Sequence, residues 1–449
     1  MRPNKKKLFC FLTATALFLM PGCKGMPENQ FLSLPTASPE NATASPQSTE
    51  GSQKITEINL YQYKPEYNDA VDKAATEFSK ENEEIEIKVK SARDGEDYMT
   101  TLKTLINSGD MPHIFNLGRL SDFNEFKDKL MDLSDLELTQ FAMEASLNGA
   151  AIGDKIYGVP YFIEGFGFVY NRELFEKASI DVGAIDNFMA FESAVEELDR
   201  MKETLKIEAV FAFPAKDFQI TGLHMSNVFI SAEFGGDIVK AYQSKNLEFK
   251  YAEALKKMID LQMEYSVKPV KDIDSRKMVE EYFIGKKVAI IQQGNWIHHT
   301  IETIDKDFAD KIDMLPYPIE GLRECCNSAG VPMYWVISDT ADEKVREGAR
   351  SFLNWLYLSE NGKKIIEEDF MFIPAYRGFA ADTVKDPLGK RILAQYSARN
   401  IIPYVFPSYP DDWGINRFGA DIYRYANGEL AWDEVVSNAR EAWNKLRQQ

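Results

Sequence analysis

The sequence predicts an α/β fold arranged in more than one domain, and two observations support this prediction. The first is an alternation of strand and helix patterns, with strands at residues 54–60, 85–89 and 112–117 and helices at 70–78 and 98–106. This order indicates a parallel sheet covered by helices. The second is the length of 449 residues, which exceeds what one ordinary hydrophobic core accommodates.

Ligands of such sheets bind at the carboxyl ends of the strands, which correspond here to residues 61–65 and 116–119. The middle of the chain is mostly helical, and no internal repeat is present, which excludes solenoids and propellers. Further strand patterns occur at residues 288–292, 312–316 and 331–338.

The composition is that of a globular protein and disfavours nucleic acid as a partner. Hydrophobic residues make up 45% and charged residues 27% of the chain, as in soluble domains. Acidic residues outnumber basic ones by 70 to 52. Because contacts with phosphates need a basic face, this excess of acids argues against nucleic-acid binding.

The first 22 residues have the pattern of a signal peptide. Arg2 and three lysines precede an apolar segment, residues 8–20, which is shorter than the roughly 20 residues of a membrane-spanning helix. The following Leu19-Met20-Pro21-Gly22-Cys23 resembles a bacterial lipobox, in which the cysteine is lipidated. We therefore expect cleavage before Cys23 and a lipid anchor there, with a plain signal peptide as the alternative.

Residues 24–53 are rich in Pro, Ser, Thr, Asn, Gln and Glu and contain few apolar residues. Such a segment cannot bury enough surface to fold, so it predicts a flexible tether behind Cys23. The tether and anchor together place the folded part on the extracellular face of a cell membrane, and they favour a Gram-positive envelope.

Neither a metal site nor a cofactor is expected. After the leader and Cys23, the remaining cysteines are the adjacent Cys325 and Cys326, which could form a vicinal disulfide or pack as two thiols. They lack the spacing of a zinc site. The chain contains no Gly-x-Ser-x-Gly elbow, Walker loop or His-Glu-x-x-His motif, so we expect a protein without catalytic activity.

One carboxylate stands out in residues 156–172, which read IYGVPYFIEGFGFVYNR. Glu164 lies there within an apolar run. A carboxylate in such a run must reach water, pair with another group or bind a ligand, because burying it alone is costly. The alternatives for Glu164 are a ligand contact and a structural ion pair.

Several segments, in this order and spacing, resemble a known family. They are Ser108-Gly109-Asp110-Met111-Pro112-His113-Ile114, the stretch around Glu164, Phe283-Ile284-Gly285-Lys286-Lys287-Val288-Ala289 followed by Gly294-Asn295-Trp296, and Ile373-Pro374-Ala375. Through them, residues 54–447 resemble the extracellular solute-binding proteins of ABC sugar importers, of the maltodextrin-binding type.

The resemblance implies a periplasmic-binding-protein-like fold, with two α/β lobes joined by a hinge that the chain crosses three times and a ligand cleft between them. The crossings map near Ile163, Asp313 and Tyr357. The first lobe then comprises residues 54–162 and 314–356, and the second comprises 163–313 and 357–449. The implied partners are a carbohydrate ligand and the membrane subunits of an ABC permease, and we expect a monomer.

The resemblance also implies the residues of a sugar site. Glu164 matches an acid that binds sugar hydroxyls, Trp296 and Trp413 match aromatic residues that stack on sugar rings, and Arg417 matches an arginine of the family. The other positions that map to the cleft are Tyr63, Lys64, Asn116, Arg119 and His224. Trp335, Trp355, Trp432 and Trp443 are expected in the core.

Two departures from the maltodextrin binders bear on the ligand. This chain has Asn116-Leu117-Gly118-Arg119 where they carry an aromatic residue and an acid, and Tyr63 where they carry an acid. A mono- or oligosaccharide other than malto-oligosaccharide is therefore the preferred ligand. The alternatives are a non-sugar solute bound by the same fold, and a surface glycoside hydrolase, which would need two facing carboxylates.

Overall fold

The computed structural model describes residues 55–93, 96–319, 326–380 and 382–448. The predicted signal peptide, the lipidated Cys23, the tether and Cys325 lie outside these ranges. Within these ranges, none of the helices combines the length and the apolar character needed to cross a bilayer.

Thirteen strands form two large sheets and one small hairpin in the described part of the chain. Their bounds are β1 Thr56–Gln62, β2 Ile85–Ser91, β3 Ile114–Leu117, β4 Ala151–Ile152, β5 Lys155–Ile156, β6 Val159–Pro160, β7 Glu164–Asn171, β8 Ala209–Phe211, β9 Val288–Gly294, β10 Ile312–Leu315, β11 Asn327–Gly330, β12 Tyr334–Ile337 and β13 Ile401–Pro403.

Seventeen α-helices are present among the described residues. They are α1 Asn68–Glu81, α2 Tyr98–Ser108, α3 Leu120–Phe126, α4 Glu137–Phe141, α5 Arg172–Lys177, α6 Phe188–Arg200, α7 Lys202–Leu205, α8 Ser226–Phe234, α9 Ile238–Gln243, α10 Ala252–Glu264, α11 Ile297–Ile304, α12 Lys306–Ala309, α13 Glu343–Leu358, α14 Glu360–Ile365, α15 Pro387–Ser397, α16 Ala420–Ala426 and α17 Trp432–Leu446. Turns of π-helix occur at Ile220–Met225, Lys277–Phe283, Ile366–Phe370 and Trp413–Gly419.

The first sheet has the strand order β2-β1-β3-β12-β6. Strands β1, β2 and β3 run parallel, as the alternation of strand and helix patterns predicts, while β12 joins antiparallel to β3 and β6. The predicted apolar stripe of α1 is confirmed, since its buried residues are Ala70, Val71, Ala74, Ala75 and Phe78. The carboxyl ends of β1 and β3 meet at one edge, and the loops that follow them carry predicted site residues.

The second sheet has the order β13-β11-β7-β9-β8, and β10 also pairs with β7. Strand β7 is its centre, and every residue of β7 after Glu164 is buried. Gly167 lets the neighbouring chain segments approach closely, because a Cβ atom there would lie 2.1 Å from Asn327 Nδ2 and 2.6 Å from the Leu315 carbonyl oxygen. Each sheet with its helices forms an α/β lobe, called here the first and the second lobe.

The chain passes three times between the two lobes, but only the first passage lies where the sequence predicts it. This passage runs from β6 to β7, on either side of Ile163. The second was expected near Asp313, yet both β10 and β11 pair with β7. The chain therefore returns to the first sheet only at β12, after Gly330.

The third passage was expected near Tyr357, but the chain stays beside the first lobe well beyond it. Helix α14 packs on α1, and Tyr376 forms an isolated bridge with Ala142. Helix α15 then packs against β7, β10 and β11 of the second sheet. The third passage therefore lies between Tyr376 and Pro387. The predicted boundaries at 314 and 357 are wrong for this physical reason.

Candidate functional site

The acid in the apolar run has a cationic partner across the two lobes. Glu164 is the first residue of β7, and its Oε1 lies 2.6 Å from Lys64 Nζ in the loop after β1. Both side chains are largely buried, with exposed fractions of 13% and 14%. Burial, the largest single influence, lowers the pKa of Lys64, but the Glu164 carboxylate together with Tyr63, Tyr67 and Glu66 raises this pKa well above its ordinary value.

Aromatic rings surround the Lys64 ammonium group. Its Nζ lies 5.1 Å from the ring centre of Phe162, 5.7 Å from that of Tyr63 and 5.8 Å from that of Tyr67. These distances allow cation–π attraction. The Tyr63 backbone N–H donates to Asn116 Oδ1 at 3.2 Å. Asn116 is fully buried, so it holds the loop in place from within the first lobe and presents no surface to the cleft.

A second cluster of aromatic side chains lies on the second lobe. Trp296 follows β9, is half-buried and packs against two clusters of buried apolar side chains. The ring of His224 lies 5.3 Å from Trp296, 4.7 Å from Phe166 and 5.8 Å from Phe406. Burial among these rings lowers the pKa of His224 to about 4, so the imidazole is neutral at pH 7.

Arg119 links the end of β3 to the proline-rich loop of the second lobe. Its Nη2 donates to the Tyr409 carbonyl oxygen at 2.8 Å and lies 2.8 Å from Asp411 Oδ1. The Ser121 hydroxyl also contacts Asp411, at 3.3 Å. Within the described chain, Arg119 Nε is buried and has no hydrogen-bond partner. These contacts close the space between the two lobes on this side.

Trp413 does not lie in the cleft. It is fully buried in the core of the second lobe, where its indole stacks on Phe418 at 5.1 Å and its Nε1 donates to the Ala439 carbonyl oxygen. With no exposed ring face, it does not fit the stacking role that the resemblance implied. Arg417, on the same π-helical turn, is exposed and contributes to none of the contacts above. The other four tryptophans, Trp335, Trp355, Trp432 and Trp443, are buried, as predicted.

The structure therefore brings together Tyr63, Lys64, Asn116 and Glu164 in one cluster and His224 with Trp296 in another. Sequence reasoning did not identify Phe166 and Phe406, because both look like ordinary core residues. Asp411 was also missed, although its position two residues before Trp413 in a proline-rich loop offered a signal.

Among the described residues, no group of three or more His, Cys, Asp or Glu side chains is arranged to hold a metal ion. Cys326 is buried, and its thiol donates to Asn400 Oδ1 at 3.0 Å.

Comparison with known proteins identifies the family. Residues 73–389 match the model of the bacterial extracellular solute-binding proteins. The chain belongs to this family. The resemblance inferred from the sequence and the two-lobed α/β fold are thereby confirmed.

Relatives of this solute-binding protein include sugar-binding proteins. It is 28% identical over 154 residues to the multiple sugar-binding protein of Streptococcus mutans, a match that spans 34% of this chain and 35% of that protein. Among solved structures, apo RafE of Streptococcus pneumoniae aligns with a TM-score of 0.72 at 19% identity, covering 89% of this chain and 100% of RafE. The Listeria monocytogenes substrate-binding protein Lmo0181 in complex with cycloalternan aligns with a TM-score of 0.66 at 20% identity, covering 87% and 98%.

Proposed function

We propose that this solute-binding protein captures a mono- or oligosaccharide outside the cell and delivers it to an ABC permease, without chemistry of its own. The observation that carries the proposal is the Lys64–Glu164 pair among aromatic rings between the two lobes. Aromatic faces cover the C–H faces of a sugar, while charged and amide groups bond its hydroxyls. The names of the multiple sugar-binding protein and of RafE in complex with raffinose support a saccharide as the ligand.

The proposed ligand contacts come from both lobes. Lys64 and Arg119 would donate to hydroxyl oxygens, Glu164 would accept from hydroxyl groups, and Trp296 would cover a ring face beside His224. Buried polar groups that lose their partners disfavour a wrong sugar, which gives such a site its selectivity. Trp413 is left out of this proposed site because its ring is enclosed in the core.

A thermal-shift panel of neutral sugars tests the proposal. A ligand that binds only the folded protein raises Tm, because it stabilises the folded state. The free energy of unfolding increases by about 2.7 kcal/mol when the free ligand concentration is a hundred times Kd. We expect a few mono- or oligosaccharides to raise Tm and chromatography to show no product. Glu164→Ala and Trp296→Ala should abolish most of that shift, while Tyr282→Ala, which removes a half-buried ring elsewhere on the second lobe, should keep it.

Two other results would point to the alternatives. Turnover of a glycan would show that the protein is a surface enzyme with a pair of carboxylates and not a receptor. If a non-sugar solute raises Tm and none of the saccharides does, the protein is still a binding protein, but its ligand is not a sugar.

We propose further that Cys23 carries a lipid after cleavage of residues 1–22, that residues 24–53 tether the folded part to the cell membrane, and that the protein is a monomer. Mass spectrometry of the protein from a membrane fraction should detect an acylated N-terminal cysteine. A Cys23→Ala variant should leave the membrane fraction and appear in the medium. If the variant stays with the membrane, the anchor lies elsewhere.

A further inference from the structure

The pairing of β7 with β9 continues one residue beyond the end of β9, through the side chain of Asn295. The two strands run antiparallel, and Phe166 lies opposite Gly294, the last residue of β9. The next residues in this register are Gly165 and Asn295. Because Gly165 follows Glu164 in the chain, the contact between Gly165 and Asn295 lies beside the acid of the proposed site.

Asn295 makes one hydrogen bond to Gly165 with its backbone and one with its side chain. Its N–H donates to the Gly165 carbonyl oxygen at 2.9 Å, as in a regular antiparallel pair. Its own carbonyl oxygen instead accepts from the His298 N–H at 3.2 Å, in the first turn of α11. The side-chain Oδ1 takes the place of that carbonyl oxygen and accepts from the Gly165 N–H at 2.9 Å. The backbone can therefore leave the sheet while the sheet hydrogen bond is kept.

Few side chains can replace Asn295 in this role. Gly165 is buried, and a buried N–H without an acceptor is costly. Asn and Asp carry an oxygen that can imitate a neighbouring backbone carbonyl, whereas an apolar side chain of the same size would leave the Gly165 N–H without an acceptor. Asn295 therefore fixes the backbone directly after Glu164.

Gly294 fixes the ring of Trp296 on the other side of Asn295. A Cβ atom at Gly294 would lie only 2.0 Å from Cζ3 of the Trp296 indole, so the ring lies directly against the backbone of this glycine. A residue with a side chain would push the ring away. The indole thus has a fixed position relative to the end of β9, and Asn295 fixes the end of β9 relative to Glu164.

We propose that Gly294 and Asn295 are positioning residues of the saccharide site, which hold the Glu164 carboxylate and the Trp296 ring in one fixed arrangement. The ligand class rests on the proposed function, whereas the arrangement rests on the two Asn295 hydrogen bonds and on the contact of Gly294 with the indole. A sugar must meet the acid with its hydroxyls and the aromatic ring with its apolar face. It binds more tightly when both groups are held in place beforehand, because less ordering is needed on binding.

Urea denaturation measures, without any ligand, whether Asn295 positions Glu164. Lys64→Met should lower the unfolding midpoint because it removes the partner of Glu164. In an Asn295→Leu background the same substitution should cause less than about half of this loss, since Glu164 is then no longer held opposite Lys64. Asn187→Leu is the matched control, in which the loss should stay whole. The half-buried Asn187 side chain also accepts one backbone N–H, that of Ala190, at 2.9 Å.

Calorimetric titration of the full chain with glucose, sucrose and raffinose measures the effect on binding. Asn295→Leu and Gly294→Ala should each weaken the binding of a sugar that the wild-type protein binds by about tenfold, the second because its methyl group displaces the Trp296 ring. Asn295→Asp keeps the acceptor for the Gly165 N–H and loses the amide donors, so it should bind like the wild type. Asn187→Leu should also bind like the wild type. If Asn295→Leu does not fold, Asn295→Ala replaces it in both experiments.

Two results would overturn the positioning role of Asn295. The first is a midpoint loss from Lys64→Met that is the same in the Asn295→Leu background and in the wild type. The second is equal weakening of sugar binding by Asn295→Asp and Asn295→Leu, which would show that the Asn295 amide donates to the sugar directly. A wild-type protein that binds none of the three sugars would count against the proposed function and not against the positioning of Glu164, which the urea midpoints decide.

Discussion

Among single residues, the Lys64–Glu164 pair offers the most direct test of the arrangement described above. Each side chain is about six-sevenths buried, so Lys64→Met leaves Glu164 without its cationic partner, and Glu164→Gln leaves Lys64 with only the half-exposed Glu66, whose Oε1 lies 3.3 Å from Lys64 Nζ. We expect Lys64→Met and Glu164→Gln each to lower the free energy of unfolding by about 2 kcal/mol. Urea denaturation of both variants measures this loss.

The double variant and a surface pair provide the controls. Lys64→Met with Glu164→Gln should lose less stability than the sum of the single variants, because neither charge is left alone. Lys80→Met breaks the exposed pair of Lys80 and Glu77 and should change stability by less than about 0.5 kcal/mol. Strict additivity of the two single losses would show that the pair does not interact as the distance implies.

His224 makes the stability of the protein depend on pH. Its pKa is about 4 in the folded chain and about 6.5 in an unfolded one. Between these values the unfolded chain binds more protons, so stability falls as the pH drops from 6.5 towards 4. His224→Phe should reduce that fall in Tm, whereas His299→Phe, at an exposed position, should not. An unchanged slope in His224→Phe would mean that other groups cause the acid sensitivity.

Single residues also show how much of the site could be predicted from the sequence. Glu164 was identifiable because a lone acid in an apolar run needs a partner, and Lys64 was identifiable from the resemblance. The pairing of these two residues, 100 positions apart, depends on how the lobes meet, which no local pattern records. The burial of Trp413 was not predictable from its neighbours in the sequence. They resemble a turn, but the packing of α17 on that turn encloses the ring.

At the scale of secondary-structure elements, the close packing around β7 requires a glycine at position 167. Gly167→Ala would place a methyl group 2.1 Å from Asn327 Nδ2 and 2.6 Å from a backbone carbonyl oxygen on β10. The central strands would have to shift, and overpacking of this kind costs about 1–3 kcal/mol. Gly183→Ala, where the nearest atom is 3.2 Å away, is the matched control. Equal unfolding midpoints for both variants in urea would show that the sheet tolerates the shift.

The elements of the first sheet were predictable, while the second and third passages between the lobes were not. Strands β1, β2 and β3 carry their own periodicity and follow one another in the chain. Strands β10 and β11 look the same whichever sheet they join, because strand patterns do not specify a partner. Their pairing with β7 assigns them to the second lobe, and this is why the predicted boundary at 314 was wrong.

At the scale of the whole molecule, side-chain contacts hold the two lobes together, and Arg119 makes two of these contacts. Its guanidinium group bonds the Tyr409 carbonyl oxygen and pairs with Asp411 of the other lobe. Because Arg119 and Asp411 are 37% and 71% exposed, water and salt weaken the pair. We therefore expect Arg119→Met to destabilise the closed arrangement by about 1 kcal/mol, which corresponds to about fivefold weaker ligand binding if the ligand requires closure.

Small-angle X-ray scattering and ligand titration measure this effect together. The ligand-free Arg119→Met variant should have a larger radius of gyration than the wild-type protein, and ligand should bring the two values together. Arg276→Met, which breaks an exposed pair with Glu280 inside the second lobe, should match the wild type in both measurements. If Arg119→Met weakens binding and leaves the radius of gyration unchanged, Arg119 acts through a direct ligand contact and not through the joining of the lobes.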